Sequence, residues 1–347
     1  MSKLKNLNKI RRKFVRKFTK DVGKQSLPKP IKELQEIKRV LIVRPNHRLG
    51  NLLLITPMIQ EVERLFPDVE IDILSKGTVS PFLFEQYHSI KSITQLPRRP
   101  FNALWDYIKK ILSIRRHHDM VINIEGNSSS GRLFTKFSNS KHKVYCDLSE
   151  SLQKQYVDSG HIAKKPIYAL RTYLAASGFD EFMNQKLPLL DIKLTRDELK
   201  KGKKLLDDII KNDKPTIGIF TYATGSKCYS KTWWDTFYSR LQQTYAHQYN
   251  IVEILPVENV SQIDFKAPTY YSKDVREICA FINNIDLFIG ADSGMMHLAS
   301  ASQTTTIGLF SRTKTSKYEP YGNKSVAIDT RTGTLNDWML VINQVLG

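Results

Sequence analysis

The chain is poor in cysteine: Cys146, Cys228 and Cys279 are the only three in 347 residues, and none forms a C-x-x-C pair. That scarcity argues against a disulfide framework and a structural zinc site, and makes a reducing compartment the simple expectation. Long apolar runs are missing too. No stretch approaches the ~18 uninterrupted apolar residues of a membrane span, and no apolar core follows the basic amino terminus as it would in a signal peptide. Acidic residues are outnumbered, 34 against 53 Lys and Arg, for a formal net charge of +19. Hydrophobic residues, at 41%, are enough for two cores, and the length predicts two domains of ~150 to 200 residues.

The charge is unevenly placed. Residues 1–30 hold eleven Lys and Arg against Asp21 alone, about half of the excess. Leu4, Leu7, Ile10, Phe14, Phe18 and Val22 recur there at helical spacing, which makes a narrow apolar stripe on a strongly basic helix. Such a helix suits an anionic membrane surface, where each basic residue contributes about 1 kcal/mol. A solvated arm and a nucleic-acid contact are the other two readings, and nucleic acid ranks last because no nucleic-acid fold motif accompanies the charge. Leu27-Pro28-Lys29-Pro30 cannot continue a helix and reads as the linker to the globular part.

From there a strand, Arg39–Arg44, is nearly all apolar within, as in a parallel sheet buried on both faces. A polar turn from Pro45 to Asn51, a helix from Leu52 to Phe66 and a strand from Val69 to Leu74 complete a strand-helix-strand unit. Another strand, Met120–Ile124, leads into Glu125 and a loop rich in glycine and serine, while His117 and His118 read as surface residues. Residues 133–165 are basic with only short apolar pieces and yield no assignment. Helices are expected over 166–179 and 191–210. The pattern then restarts with strand 216–220, a polar turn to Lys231, helix 233–245, in which Trp233 and Trp234 read as core, and strand 251–255. A closing helix spans 335–346.

The most informative stretch runs from Phe288 to Gly322. A buried strand, Leu287–Ile289, precedes the turn Gly290-Ala291-Asp292-Ser293-Gly294, a helix from Met295 to Ala301 and a strand from Thr304 to Phe310. A helix that opens from such a turn offers unpaired N–H groups to an anion at the carboxyl ends of the strands. Singly, Asp292 and Ser293 are helix caps, Gly294 relieves a turn and His297 is a core histidine; together they bring a carboxylate, a hydroxyl, a glycine and an imidazole to one helix start.

The pattern D-S-G-x-x-H-L-A-x-A, followed by T-x-x-x-L-F-S-x-T and P-Y-G, resembles the nucleotide-sugar motif of the family 9 glycosyltransferases, the ADP-heptose:lipopolysaccharide heptosyltransferases and their relatives. The loop Arg44–Asn51 is similar to the R-x-x-x-L-G-D with which that family begins, one residue longer here, and L-L-x-T-P and F-P-D-V-E-I-D continue the match. Lys231-Thr232-Trp233 matches the family's K-x-W.

The resemblance implies an α/β chain of GT-B architecture, two facing Rossmann-like domains with a cleft between them. They are expected as an acceptor-side domain over 31–195 and a nucleotide-sugar domain over 196–347, behind the basic arm of 1–30. It also implies an inverting, metal-independent transfer of heptose or a related sugar from a nucleotide-diphospho donor to a cell-envelope glycan or lipopolysaccharide-type acceptor. No separate cofactor is expected, and no D-x-D carboxylate pair is present to hold a metal. The donor residues become Lys231, Asp292, Ser293, Gly294 and His297, with Glu258 at the ribose. An anionic membrane surface is expected to meet residues 1–24, which puts the protein on the inner, cytoplasmic face of the membrane.

One departure bears on mechanism. Asn51 stands where the family carries the aspartate taken as general base, and a carboxamide accepts no proton at neutral pH. The substitutes are Glu125, then His47, with Asp119 last because it starts its strand rather than ending it. The readings that compete are a catalytically silent nucleotide-sugar binder, suggested by Asn51, and another GT-B enzyme such as a nucleotide-sugar epimerase.

Overall fold

The computed structural model describes residues 30–97, 109, 110, 112, 116–126 and 128–347. The basic helix expected over residues 1–24 lies outside the described residues. The described chain divides into two compact units. One holds residues up to His47 with Pro57–Pro81 and Tyr87–Pro188; the other holds Arg48–Thr56, Phe82–Gln86 and Leu189–Gly347.

In the first unit five strands, β1 (Arg39–Val43), β2 (Glu70–Lys76), β3 (Ile90–Leu96), β4 (His118–Asn123) and β5 (Ser140–Tyr145), pair in the order β3-β2-β1-β4-β5. Every pairing is parallel. The central strands β1 and β4 are the most apolar and the most buried, whereas β3 and β5 at the edges are only half covered. This is why the edge strands carry no clear periodicity in the sequence. The unassigned stretch 133–165 contains most of the helix Ser129–Phe137, then β5 and the helix Glu150–Gln155.

His118 corrects the sequence reading: it is buried at the start of β4, and its Nε2 lies 2.8 Å from Asp72 Oδ2. Burial raises the Asp72 carboxyl, but the His118 and Ser92 contacts outweigh it and hold the group below its ordinary value. His117 is exposed, as expected. Asp119 accepts the backbone N–H groups of Lys38 and Arg39 at 2.9 and 2.8 Å, so it ties together the amino ends of β1 and β4. A fully buried pair, Arg171 Nε to Glu61 Oε1 at 2.7 Å, fixes the helix Lys164–Ala175, and Arg171 also donates to the Gln185 carbonyl at 2.6 Å.

In the second unit six strands, β6 (Thr216–Phe220), β7 (Asn250–Ile254), β8 (Thr269–Tyr270), β9 (Leu287–Ala291), β10 (Thr305–Phe310) and β11 (Val326–Asp329), pair in parallel in the order β11-β10-β9-β6-β7-β8. The direction of strand progression reverses between β6 and β9, so the loops that leave those two strands open a crevice at their carboxyl ends. Trp234 is fully buried with Phe237 and the inner strands, and Trp233 stacks on Tyr229 at 4.1 Å, so both tryptophans serve the core as expected.

The helix expected from Leu52 to Phe66 is two helices, Leu49–Leu53 and Thr56–Leu65. Pro57 explains the break. It has no N–H for the Leu53 carbonyl, which accepts the Thr56 hydroxyl at 2.8 Å instead. Arg48–Thr56 belongs to the second unit, where the helix Leu49–Leu53 packs on the helix Gly294–Ala301 through two facing glycines. A Cβ on Gly50 would stand 2.7 Å from the His297 ring, and one on Gly294 would stand 3.1 Å from Leu49 Cβ.

A second fastening lies within the same unit. Arg276 forks onto Glu198 at 2.5 and 2.9 Å and donates to the Ile192 and Phe82 carbonyls. The Arg276 bond, partly opposed by burial, draws the Glu198 carboxyl down to about 2.

Candidate functional site

The loops after β6, β9 and β10 meet around Asp292. Its backbone N–H bonds to the Leu309 carbonyl at 3.0 Å, and its side chain is 5% exposed. A buried carboxylate needs partners, and this one has two on the same oxygen: Lys227 Nζ at 2.6 Å and the Thr313 hydroxyl. Lys227 comes from a turn, Gly225–Lys227, whose first residue has φ +67°. Arg312 Nε donates to the Ser226 carbonyl at 3.3 Å, which ties that turn to the loop after β10.

Ser293, in extended conformation, caps the helix Gly294–Ala301 by accepting from Met296 N–H at 3.4 Å. The N–H groups of the first helical residues have no intrahelical acceptor and carry the positive end of the dipole. His297 is buried one turn on, beside Gly50, with its ring centroid 6.5 Å from that of Tyr318. Tyr318 in turn lies 5.7 Å from the Lys227 ammonium.

Four expected donor residues, Asp292, Ser293, Gly294 and His297, therefore share one helix start. Asn51, half-buried on the helix Leu49–Leu53, belongs to the same unit. Lys231 does open a helix, Lys231–Tyr245, but its ammonium pairs with the Asp264 carboxylate and its side chain is 57% exposed. Glu258 is exposed in the loop after β7. That loop is braced from below by Glu253, a fully buried carboxyl that accepts the Thr221 and Ser261 hydroxyls at 2.6 and 2.7 Å; burial raises its pKa.

Two residues of the cluster carry no role in the sequence reading. Thr313 is the last position of the matched L-F-S-x-T, and Lys227 lies in the polar turn of which only the final lysine draws notice. Their weak signal is their placement after strands of a parallel sheet.

In the first unit the carboxyl ends of β1, β4 and β5 gather charge. Arg44 Nη1 lies 3.1 Å from Glu125 Oε2, with the arginine buried and the carboxylate partly open. Arg132 reaches the Gly126 carbonyl and Asp147, the latter at 2.7 Å, and Lys165 stands 3.7 Å from Asp147. His47 is exposed in the loop after β1.

Residues 272–337 match the family model of glycosyltransferase family 9 (heptosyltransferase). A curated relative, lipooligosaccharide heptosyltransferase 2 of Campylobacter jejuni, is 22% identical over 298 residues, or 81% of this chain and 83% of the relative. Among solved structures, the family 9 glycosyl transferase of Veillonella parvula aligns with a TM-score of 0.64 at 15% identity, over 88% of this chain and 89% of that one. The E. coli heptosyltransferase WaaC with ADP aligns with a TM-score of 0.61 at 14% identity, over 88% and 99%. The fold is that of the GT-B enzymes, with two parallel-sheet α/β units. The family resemblance holds, and with it the assignment of a glycosyltransferase.

Proposed function

We propose that this chain, a glycosyltransferase of the heptosyltransferase type, transfers heptose or a related sugar from a nucleotide-diphospho donor to a lipopolysaccharide-type or other cell-envelope acceptor, with inversion and without a metal. The observation that carries the reading is the group around Asp292, which sets a held carboxylate, an ammonium and a helix amino terminus together where β9 ends beside β6. A diphosphate gains from such a helix start because the N–H groups and the dipole both favour negative charge. The ADP carried by the E. coli relative is a ligand of that class.

Asp292, Ser293, Gly294 and His297 form the donor site, with Lys231 as a second source of positive charge and Glu258 at the ribose. The acceptor hydroxyl attacks the anomeric carbon from the face opposite the leaving diphosphate, whose growing charge the helix and the lysines offset. Glu125 takes the hydroxyl proton, held in orientation by Arg44, and His47 is the second choice. Asn51 orients the acceptor by hydrogen bonding. Residues 1–24 keep the enzyme on the anionic inner face of the membrane, where such acceptors are made.

A thermal-shift panel of nucleotide sugars tests the donor assignment, since a ligand at ~100 times its dissociation constant stabilises by about 2.7 kcal/mol. Release of nucleoside diphosphate with an acceptor extract then tests transfer. A shift without release favours the second reading, a silent binder, which Asn51 supports; no shift with any nucleotide sugar removes both.

A further inference from the structure

We propose that Lys227 is a diphosphate-binding residue of the donor site, held in place by Asp292 and Thr313. The inference rests on the donor-site reading and adds to it a residue that the K-x-W match passes over. Lys227 and Lys231 stand four positions apart, one ending the turn Gly225–Lys227 and the other opening the helix Lys231–Tyr245, and the fold treats them differently. Lys231 pairs with Asp264, and both side chains are more than half exposed. Lys227 is 34% exposed, and its ammonium is drawn inward onto a carboxylate that is itself 5% exposed.

That carboxylate belongs to the residue two before Gly294, where the helix Gly294–Ala301 opens with N–H groups that lack intrahelical acceptors. An ammonium has three N–H donors, and the Asp292 contact uses one of them. The Thr313 hydroxyl bonds to the same Asp292 oxygen and holds it fixed, while Arg312 fixes the carbonyl of Ser226 beside the lysine. The flexible side chain of Lys227 is thus ordered before any ligand arrives, which lowers the entropy cost of binding. Asp292 acts through Lys227, as a positioning residue, and its charge meets the lysine rather than the donor's phosphates.

The test is calorimetric titration of the full chain with ADP, UDP and GDP and with the matching nucleosides. Lys227→Ala is expected to weaken the diphosphate that binds best by roughly ten- to hundredfold, with the nucleoside affinity unchanged. Lys227→Arg is expected to recover most of the loss. Asp292→Asn is expected to weaken diphosphate binding in the unchanged protein and to add little in the Lys227→Ala background, a coupling that a purely structural role would not produce. Diphosphate affinity unchanged in Lys227→Ala overturns the assignment and leaves the donor-site reading standing. If the unchanged protein binds no nucleoside diphosphate, that reading fails and this assignment with it.

Discussion

On the proposed reading, Asn51 stands where the resembling family 9 sequences carry a proton acceptor, so the acceptor's proton goes to another group. Glu125 is the carboxylate held in orientation, by the Arg44 guanidinium at 3.1 Å, on an open loop at the end of a buried strand. Glu125→Gln is expected to lower turnover by about 100-fold or more with donor affinity intact, and Asn51→Asp to change the rate or its pH dependence. Steady-state rates beside donor titrations decide it; full activity in Glu125→Gln removes the assignment. At this scale the sequence is legible where the backbone itself builds the site, as at Asp292, Ser293 and Gly294. It is poorly legible for long side chains. Nothing in the spacing of Lys227 and Lys231 says which ammonium reaches Asp292 and which reaches Asp264, because four rotatable bonds decide it. His118 is misread for a related reason: its partner Asp72 lies 46 residues away, two strands across the sheet.

The helices make their own demands. Gly50 faces the His297 ring so closely that a methyl group there needs the ring or one of the helices to shift. Gly50→Ala would gain at most about 1 kcal/mol in helix propensity against about 1–3 kcal/mol of overpacking. A net loss of stability and weaker donor binding are expected, read by urea unfolding and titration, with Gly160→Ala neutral because its surroundings are open. The joint of Glu198 and Arg276 adds a pH dependence. Its carboxyl gives up its proton more readily in the folded chain than in the unfolded one, so the stabilisation is complete above about 4.5 and is lost as pH falls from there to about 2. Glu198→Gln should flatten the acid limb of stability against pH in that window and nowhere above it. The helix start capped by Thr334 is readable in the sequence, whereas the helix expected from 191 begins only at Arg196, after its Thr195 cap, and the helix break before Pro57 is the kind of event that periodicity alone passes over.

For the molecule as a whole, the central strands of both sheets are plain in the sequence because strands buried on both faces must be apolar throughout. The edges β3, β8 and β11 are not, since a half-covered or two-residue strand leaves no run to detect. The basic arm is a prediction of charge and apolar spacing in the sequence, outside the described residues. Sedimentation with anionic vesicles at low and high salt checks it, with salt-sensitive binding expected of the full chain; equal binding by a chain that starts at Ile31 rules the arm out.

The second unit takes Arg48–Thr56 and Phe82–Gln86 from early in the chain. Its helix Gly294–Ala301 rests on Gly50, and Arg276 bonds to the Phe82 carbonyl. On the ribosome those segments emerge long before their partners. At about 5–20 residues per second, Gly50 waits roughly 12–50 seconds for Gly294, some 240 residues later. Throughout that wait Leu52 and Leu53, which end fully buried, have no second unit to cover them. The nascent chain must therefore carry an apolar debt through most of its synthesis, and a chaperone that holds residues 48–56 would act on the seat of the helix Gly294–Ala301 before that helix exists.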